Sequence, residues 1–222
     1  MARVRQERAE RTRRALITAA AELFDQRGYH GVGLNAILRR AGVTTGAMYF
    51  HFASKEDLAR AVIIGQADGL DLEGDARGLQ QLVDLCQHIA VTMRSDVLLR
   101  AGVRLAVEQS EADLLDYSIY GWWSSRFAAC LETAREMGQL RPGVDVDTFA
   151  RVIVASFTGT QTMSRLSNSW SDLPDRIEEM LCCLLPALAS EEVLATLTVS
   201  GAPFGEALSR TAAPGSSAGD AS

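Results

Sequence analysis

Between Leu34 and Phe50 the chain must turn a sharp corner, and this limits its fold more than any other feature of the sequence. Leu34, Ile37 and Leu38 recur at helical spacing over residues 33–40. Ala41-Gly42-Val43 then leaves room only for a tight connection, and Thr44 or Thr45 can cap a further helix reaching about Phe50. Ahead of this pair, residues 6–27 read as one helix, with Leu16, Ala19, Ala20, Leu23 and Phe24 on one side and Gly28 as its stop. Behind it, Ser54 with Asp57 three residues on fits a capping box, opening a helix that runs past Ala67. Helix, helix, short glycine turn, helix is the helix-turn-helix layout, in which the helix after the turn enters the major groove. Plain helical hairpins share that spacing, so a second signal is needed.

Charge supplies it. Residues 1–60 hold eleven Arg or Lys against six Asp or Glu, whereas the remaining 162 hold eleven against twenty-two. A basic head of net +5 on an acidic body of net -11 points the head alone at a polyanion. Cys86, Cys130, Cys182 and Cys183 lack metal-ligand spacing, and with three scattered histidines no metal site is expected. Free thiols, no apolar run after the first arginines and no long apolar span together imply a cytoplasmic protein without a membrane helix.

The body reads as helices over residues 76–95, 98–110, 114–137, 146–165 and 173–189, joined by turns such as Met137–Asp147. The fold class is therefore all-α. Residues 6–53 form a helix-turn-helix domain, 54–200 a helical body, and 203–222 a disordered tail rich in Ala, Gly, Ser and Pro. On the helix at 173–189, Ile177, Leu181, Leu184 and Leu188 line one face and need a cover. That cover is either the same helix of a second subunit, as suits a reader of two-fold DNA sites, or the chain's own core. Trp122-Trp123 and Trp170, with hydroxyls and amides nearby, fit an apolar pocket with a few polar anchors or an ordinary core. Phe50 and Phe52 read as core. No nucleophile elbow, zinc-binding helix motif or phosphate loop is present, and Glu108 and Asp84 are only nominal bases, so neither enzymatic activity nor a cofactor is expected.

Gly28-Tyr29, Val43-Thr44, Gly46, Tyr49-Phe50-His51-Phe52, Lys55-Glu56 and Leu58 resemble the N-terminal signature of the tetracycline-repressor family of regulators. The resemblance implies that Thr44, Thr45, Gly46 and Tyr49 lie near bases or phosphates of a palindromic duplex operator, with His51 and Lys55 at the phosphate backbone. Threonine can exchange hydrogen bonds with a base edge, and lysine gives salt-sensitive affinity. Gly46 either allows close approach to DNA or is a packing glycine. Many relatives carry lysine where Thr45 stands, so either operator affinity is lower or Arg39 and Arg40 compensate. Arg14 and its neighbours Arg5, Arg8, Arg11 and Arg13 are a second source of backbone charge.

"SDVLLRAGVRLAVEQ" at 95–109, the segment around Trp123 and "GAMYFHFASKEDLARAV" resemble the gamma-butyrolactone autoregulator receptors of streptomycete-type bacteria. This implies a homodimer bundled through its last two long helices and a small hydrophobic signalling molecule against Trp123. Trp122, Leu105, Val83 and Thr162 follow as ligand contacts by helix position. The implied mechanism is repression of secondary metabolism, released when the ligand moves the helix at 54–67. Relatives answering to an antibiotic, a furan or a butenolide, or to no ligand, are the alternative.

Overall fold

The computed structural model describes residues 2–66, 75–108 and 119–212. It is all-α apart from one two-residue hairpin. The helices are α1 (Ala2–Arg27), α2 (Leu34–Ala41), α3 (Thr45–His51), α4 (Lys55–Gly65), α5 (Leu79–Thr92), α6 (Val97–Val107), α7 (Ile119–Glu136), α8 (Val146–Asn168), α9 (Leu173–Leu188), α10 (Glu191–Leu194) and α11 (Phe204–Ala212). The hairpin pairs β1 (Thr198–Val199) antiparallel with β2 (Ala202–Pro203), Val199 opposite Ala202. No helix among the described residues is long and apolar enough to cross a membrane.

Local chemistry sets the helix ends. Thr44 Oγ1 accepts from Ala47 N–H at 3.3 Å and Ser54 Oγ from Asp57 N–H at 3.2 Å. Asp96 and Asp145 cap α6 and α8 in the same way, each accepting at 2.9 Å. Gly42 ends α2 in the left-handed region at φ 64°, which gives the tight corner the sequence demands.

The chain divides into two compact units. The first contains α1–α4 together with α6. Its core is Leu16, Ala20 and Phe24 of α1 against Ile37, Met48, Leu58 and Val62, all fully buried. The helix expected over 98–110 belongs with this head unit as α6, packed on α1 and α4. Gly102 makes that packing possible, since a Cβ there would lie 2.6 Å from Gln66 Cβ.

The second unit contains α5, α7–α11 and the hairpin. Its helices are pinned at a corner: Gln139 Oε1 accepts from Leu79 N–H at 3.0 Å, and Arg141 donates from Nε to Ala189 O at 2.7 Å. α9 is central, flanked by α5, α8 and α11. This corrects two expectations. Ile177, Leu181 and Leu188 are buried by the chain's own helices, and only Leu184 of that set is partly open. The segment from 203 onward is not all tail: α11 buries Phe204 and Ala207, and Arg210 forms an ion pair with the buried Glu178 at 2.9 Å. An apolar face one helix wide had no visible intrachain partner in the sequence because α11 is short and lies within the segment that reads as tail. The rest of the expected tail, and most of the connection at 68–78, lie outside the described residues.

Candidate functional site

The outer side of α3 is an exposed surface of the head that carries mixed chemistry. Thr44, Thr45 and Gly46 are exposed, Tyr49 is 55% exposed and Phe50 73%. Met48 faces inward and is fully buried, which fixes the rotation of the helix. Nothing lies within 4 Å of a Cβ built at Gly46, so packing does not require this glycine. Phe52 is core as expected, but Phe50 is not, because it follows the exposed Tyr49 around the outer face. His51 is half-buried, edge-on to Phe50 at 5.0 Å.

Around this helix the cations differ in availability. Arg40 is engaged, donating from Nε to Glu22 at 2.5 Å, and that carboxylate raises its pKa. Arg39, next to it at the end of α2, is exposed and has no ion pair among the described residues. Arg14 is exposed and paired with Glu10 at 3.6 Å. Lys55 is committed inward: Nζ donates to Tyr29 O at 2.7 Å and sits 3.9 Å from the Tyr29 ring centre. Burial lowers its pKa from the usual lysine value. An ammonium has three donors, so this tie leaves Lys55 N–H groups for another acceptor.

Tyr29 is the hinge of a wider cluster. Its hydroxyl donates to Glu56 Oε1 at 2.7 Å and its backbone N–H to Glu108 Oε2 at 2.9 Å. The Tyr29 bond holds the Glu56 carboxyl below its ordinary value, assisted by Glu56's own backbone and Ser54. Arg104 donates to Glu108 Oε1 at 2.8 Å and to Asp25 O at 2.7 Å, while Arg100 pairs with Asp25 at 3.0 Å. Gly28, at φ 70°, turns the chain into this cluster, and a Cβ there would lie 2.8 Å from Arg104 Nη2. α6 is thereby fastened to the end of α1. The sequence hid these contacts because partners such as Tyr29 and Glu108 are 79 residues apart.

In the second unit, Trp123, Phe127 and Cys130 form a buried face of α7, with the Trp123 and Phe127 rings stacked at 6.0 Å. Trp122 is half-buried and packs edge-on against Trp123, with Arg126 over its ring. Val83 is buried on α5 and Thr162 partly buried on α8. Leu105 belongs to the first unit, fully buried in α6. Two polar groups missed in the sequence accompany the expected ligand contacts. Gln87 Nε2 and Gln161 Oε1 are buried with no hydrogen-bond partner among the described residues. Gln87 is one helical turn from Val83, and Gln161 one turn from the buried Phe157. An amide interrupting an apolar helical face was the available signal. Buried unpaired amides are uncommon enough to require an explanation.

The outer face of α8 is open. Val152, Ala155, Gly159, Met163 and Leu166 recur along it, the last two 62% and 76% exposed. Beside it, α9 exposes Cys183 and Ala187.

Residues 16–62 match the model described as bacterial regulatory proteins, tetR family, and residues 76–190 the tetracyclin repressor-like C-terminal domain. The A-factor receptor protein of Streptomyces griseus is 39% identical over 197 residues, which is 89% of this chain and 71% of that one. The structure of full-length native TylP, a tetR regulator from Streptomyces fradiae, is similar at TM-score 0.78 and 36% identity, covering 92% of this chain and 99% of that chain. A gamma-butyrolactone receptor described as ArpA-like is similar at TM-score 0.69 and 32% identity, covering 92% of this chain and 98% of that chain.

Proposed function

This chain belongs to the tetR family of bacterial regulatory proteins as a DNA-binding transcriptional regulator, and we propose that it is a homodimeric repressor released from a palindromic operator by a gamma-butyrolactone-type autoregulator, controlling secondary metabolism. The observation that carries this reading is the reach of the A-factor receptor similarity across 89% of the chain, body as well as head. Similarity of the head alone would speak for DNA and say nothing about the signal.

In this reading α3 enters the major groove with Thr45, Tyr49 and Phe50 toward base edges, and Gly46 lets the backbone come close. Phe50 supplies an apolar surface for a thymine methyl. Arg39 and Arg14 neutralise phosphates, and Lys55 adds its remaining donors. Arg40 is a weaker candidate than Arg39 to replace the lysine missing at Thr45, because its pair with Glu22 must open first. The ligand lies against Trp123, with Val83, Trp122 and Thr162 around it. Gln87 and Gln161 supply an amide donor and acceptor suited to the carbonyl and hydroxyl oxygens of a hydroxylated lactone. Leu105 is buried in α6, which packs on α1 and α4 within the head unit, so it is not among the ligand contacts of this reading.

The two protomers meet through the outer face of α8, where small Ala155 and Gly159 allow close helix approach and Met163 and Leu166 are covered. Leu184 and Cys183 of α9 flank that contact; Ile177, Leu181 and Leu188 support it from beneath. Release depends only on the ligand's different affinity for the DNA-binding and non-binding states.

The test is a gel shift of the full-length protein on its own upstream DNA, with and without a synthetic gamma-butyrolactone and an organic culture extract. A specific shift abolished by the lactone is expected. A shift unchanged by every lactone but abolished by an extract fraction would transfer the reading to an antibiotic or butenolide signal.

A further inference from the structure

The head unit contains a crevice apart from the α3 surface, sharing only Arg14 with the residues assigned to operator recognition. It has a volume of about 550 Å³ and lies between α1 and α4, with Leu98 of α6 closing part of it. That volume falls within the roughly 300–1,000 Å³ typical of small-molecule sites.

Its chemistry is divided along its length. At the start of α4, the Arg13 guanidinium stands over the Phe52 ring, 5.5 Å from its centre, and makes no ion pair among the described residues. At the far end of α4 the walls are aliphatic: Ile64, half-exposed, with Gly65 so near Leu98 that a Cβ would touch it at 3.4 Å. Ile17 of α1 joins these walls. The other two guanidiniums, Arg14 and Arg60, hold Glu10 at 3.6 Å and Asp57 at 3.2 Å. The Arg14–Glu10 pair is solvent-exposed, of the kind worth about 0–1 kcal/mol, so Glu10 exchanges readily for a competing carboxylate, whereas the part-buried Arg60–Asp57 pair stays in place as a wall.

We infer that this crevice is a second small-molecule site, taking an amphipathic monocarboxylate whose head group pairs with Arg13 and Arg14 and whose aliphatic chain runs along Ile17 toward Ile64 and Leu98. A neutral lactone has no charge for the arginine end, so the occupant differs in class from the body ligand. Arg14 is also a candidate phosphate contact. A carboxylate bound there competes with operator DNA directly, and by linkage operator DNA weakens the carboxylate by the same factor.

The experiment uses full-length protein labelled at isoleucine δ1 methyl groups and titrated with sodium decanoate below its micellar concentration. Saturable shifts are expected at Ile17 and Ile64, with Ile153 and Ile177 of the second unit unmoved. 1-Decanol and inorganic phosphate should each bind at least about tenfold more weakly, because each supplies only half of the recognition. Arg13→Gln should weaken decanoate by about tenfold, as befits one charge-assisted hydrogen bond. Ile64→Lys should abolish the decanoate-induced shift of Ile17. Static Ile17 and Ile64 signals, shifts confined to the second unit, equal binding of decanol, or an Arg13→Gln variant that binds like wild type would each overturn the inference.

Discussion

Replacing Glu108 by alanine tests whether α6 is a working part of the head. Its carboxylate accepts two bonds that nothing else on α6 can replace: the Tyr29 N–H at 2.9 Å and Arg104 Nε at 2.8 Å. Tyr29 is 5% exposed, so its N–H loses its acceptor where water has poor access, at a cost of about 1–3 kcal/mol. The Arg104 pair is about one-fifth exposed on each side and adds less, within about 1 kcal/mol, because Arg104 keeps Asp25 O. The expected loss is about 2 kcal/mol, which in a chain of this size lowers the melting temperature by roughly 4–8 °C. Glu108→Gln keeps an oxygen for the Tyr29 N–H and should cost under about 1 kcal/mol.

Function separates the two variants further. With α6 loosened, Glu108→Ala should still shift operator DNA at low salt but lose the shift at a lower temperature than wild type, while Glu108→Gln stays close to wild type. Thermal melts and paired gel shifts read both effects. If Glu108→Ala melts with wild type, or if the glutamine variant falls as far as the alanine one, the hydrogen-bond argument would be wrong.

Four other outcomes follow from the same geometry. Gly28→Ala should cost at least about 1–2 kcal/mol from the left-handed φ, read by denaturant unfolding, with the approach of its Cβ to Arg104 adding to that. Arg39→Gln should weaken binding to specific and unrelated DNA alike and reduce the salt slope of log K by about 1, whereas Arg40→Gln should change it less because Glu22 already occupies that charge. Leu166→Glu should turn the dimer into a folded monomer in light scattering, while Leu181→Ala should cost about 2–5 kcal/mol of folding stability as a core truncation. The folded pKa of Glu56 is depressed, so its stabilising contribution is present above the ordinary Glu value of about 4.3 and lost as pH falls through the folded value. The stability gap between wild type and Tyr29→Phe should therefore narrow on acidification through that range, measured by urea unfolding at several pH values.

The head was largely legible because its signals are local. Capping by Thr44 and Ser54, the Gly42 stop and the apolar spacing of Ile37 and Leu38 each act within a few residues, and each appears where the sequence places it. Phe50 was misread because an aromatic ring ordinarily signals burial, and only the rotation of α3 about Met48 turns it outward. α6 was assigned to the body because nothing within residues 98–110 shows that Arg100 and Arg104 will meet Asp25. Those contacts depend on a chain that leaves the first unit after α4, builds α5 in the second, and returns.

The cover of the α9 stripe was not legible in the sequence for a more general reason. A hydrophobic stripe such as Ile177, Leu181 and Leu188 states that a face will be covered, not what will cover it. In this chain the strongest stripe is the one the monomer's own helices bury. In the proposed dimer a second subunit takes the weaker face, and α8 carries one: alanine and glycine at Ala155 and Gly159, which pattern-reading passes over, beside the exposed Met163 and Leu166. Small residues contribute little transfer free energy but let two helix axes approach closely enough for the flanking side chains to pack. In such a chain the better sequence signal for self-association is therefore a periodic row of small residues edged by Met or Leu on a helix whose opposite face already carries a complete core stripe. On α8 that opposite stripe is Ala150, Ile153, Val154 and Phe157, all buried, and it leaves the row beginning at Val152 as the surface still to be covered.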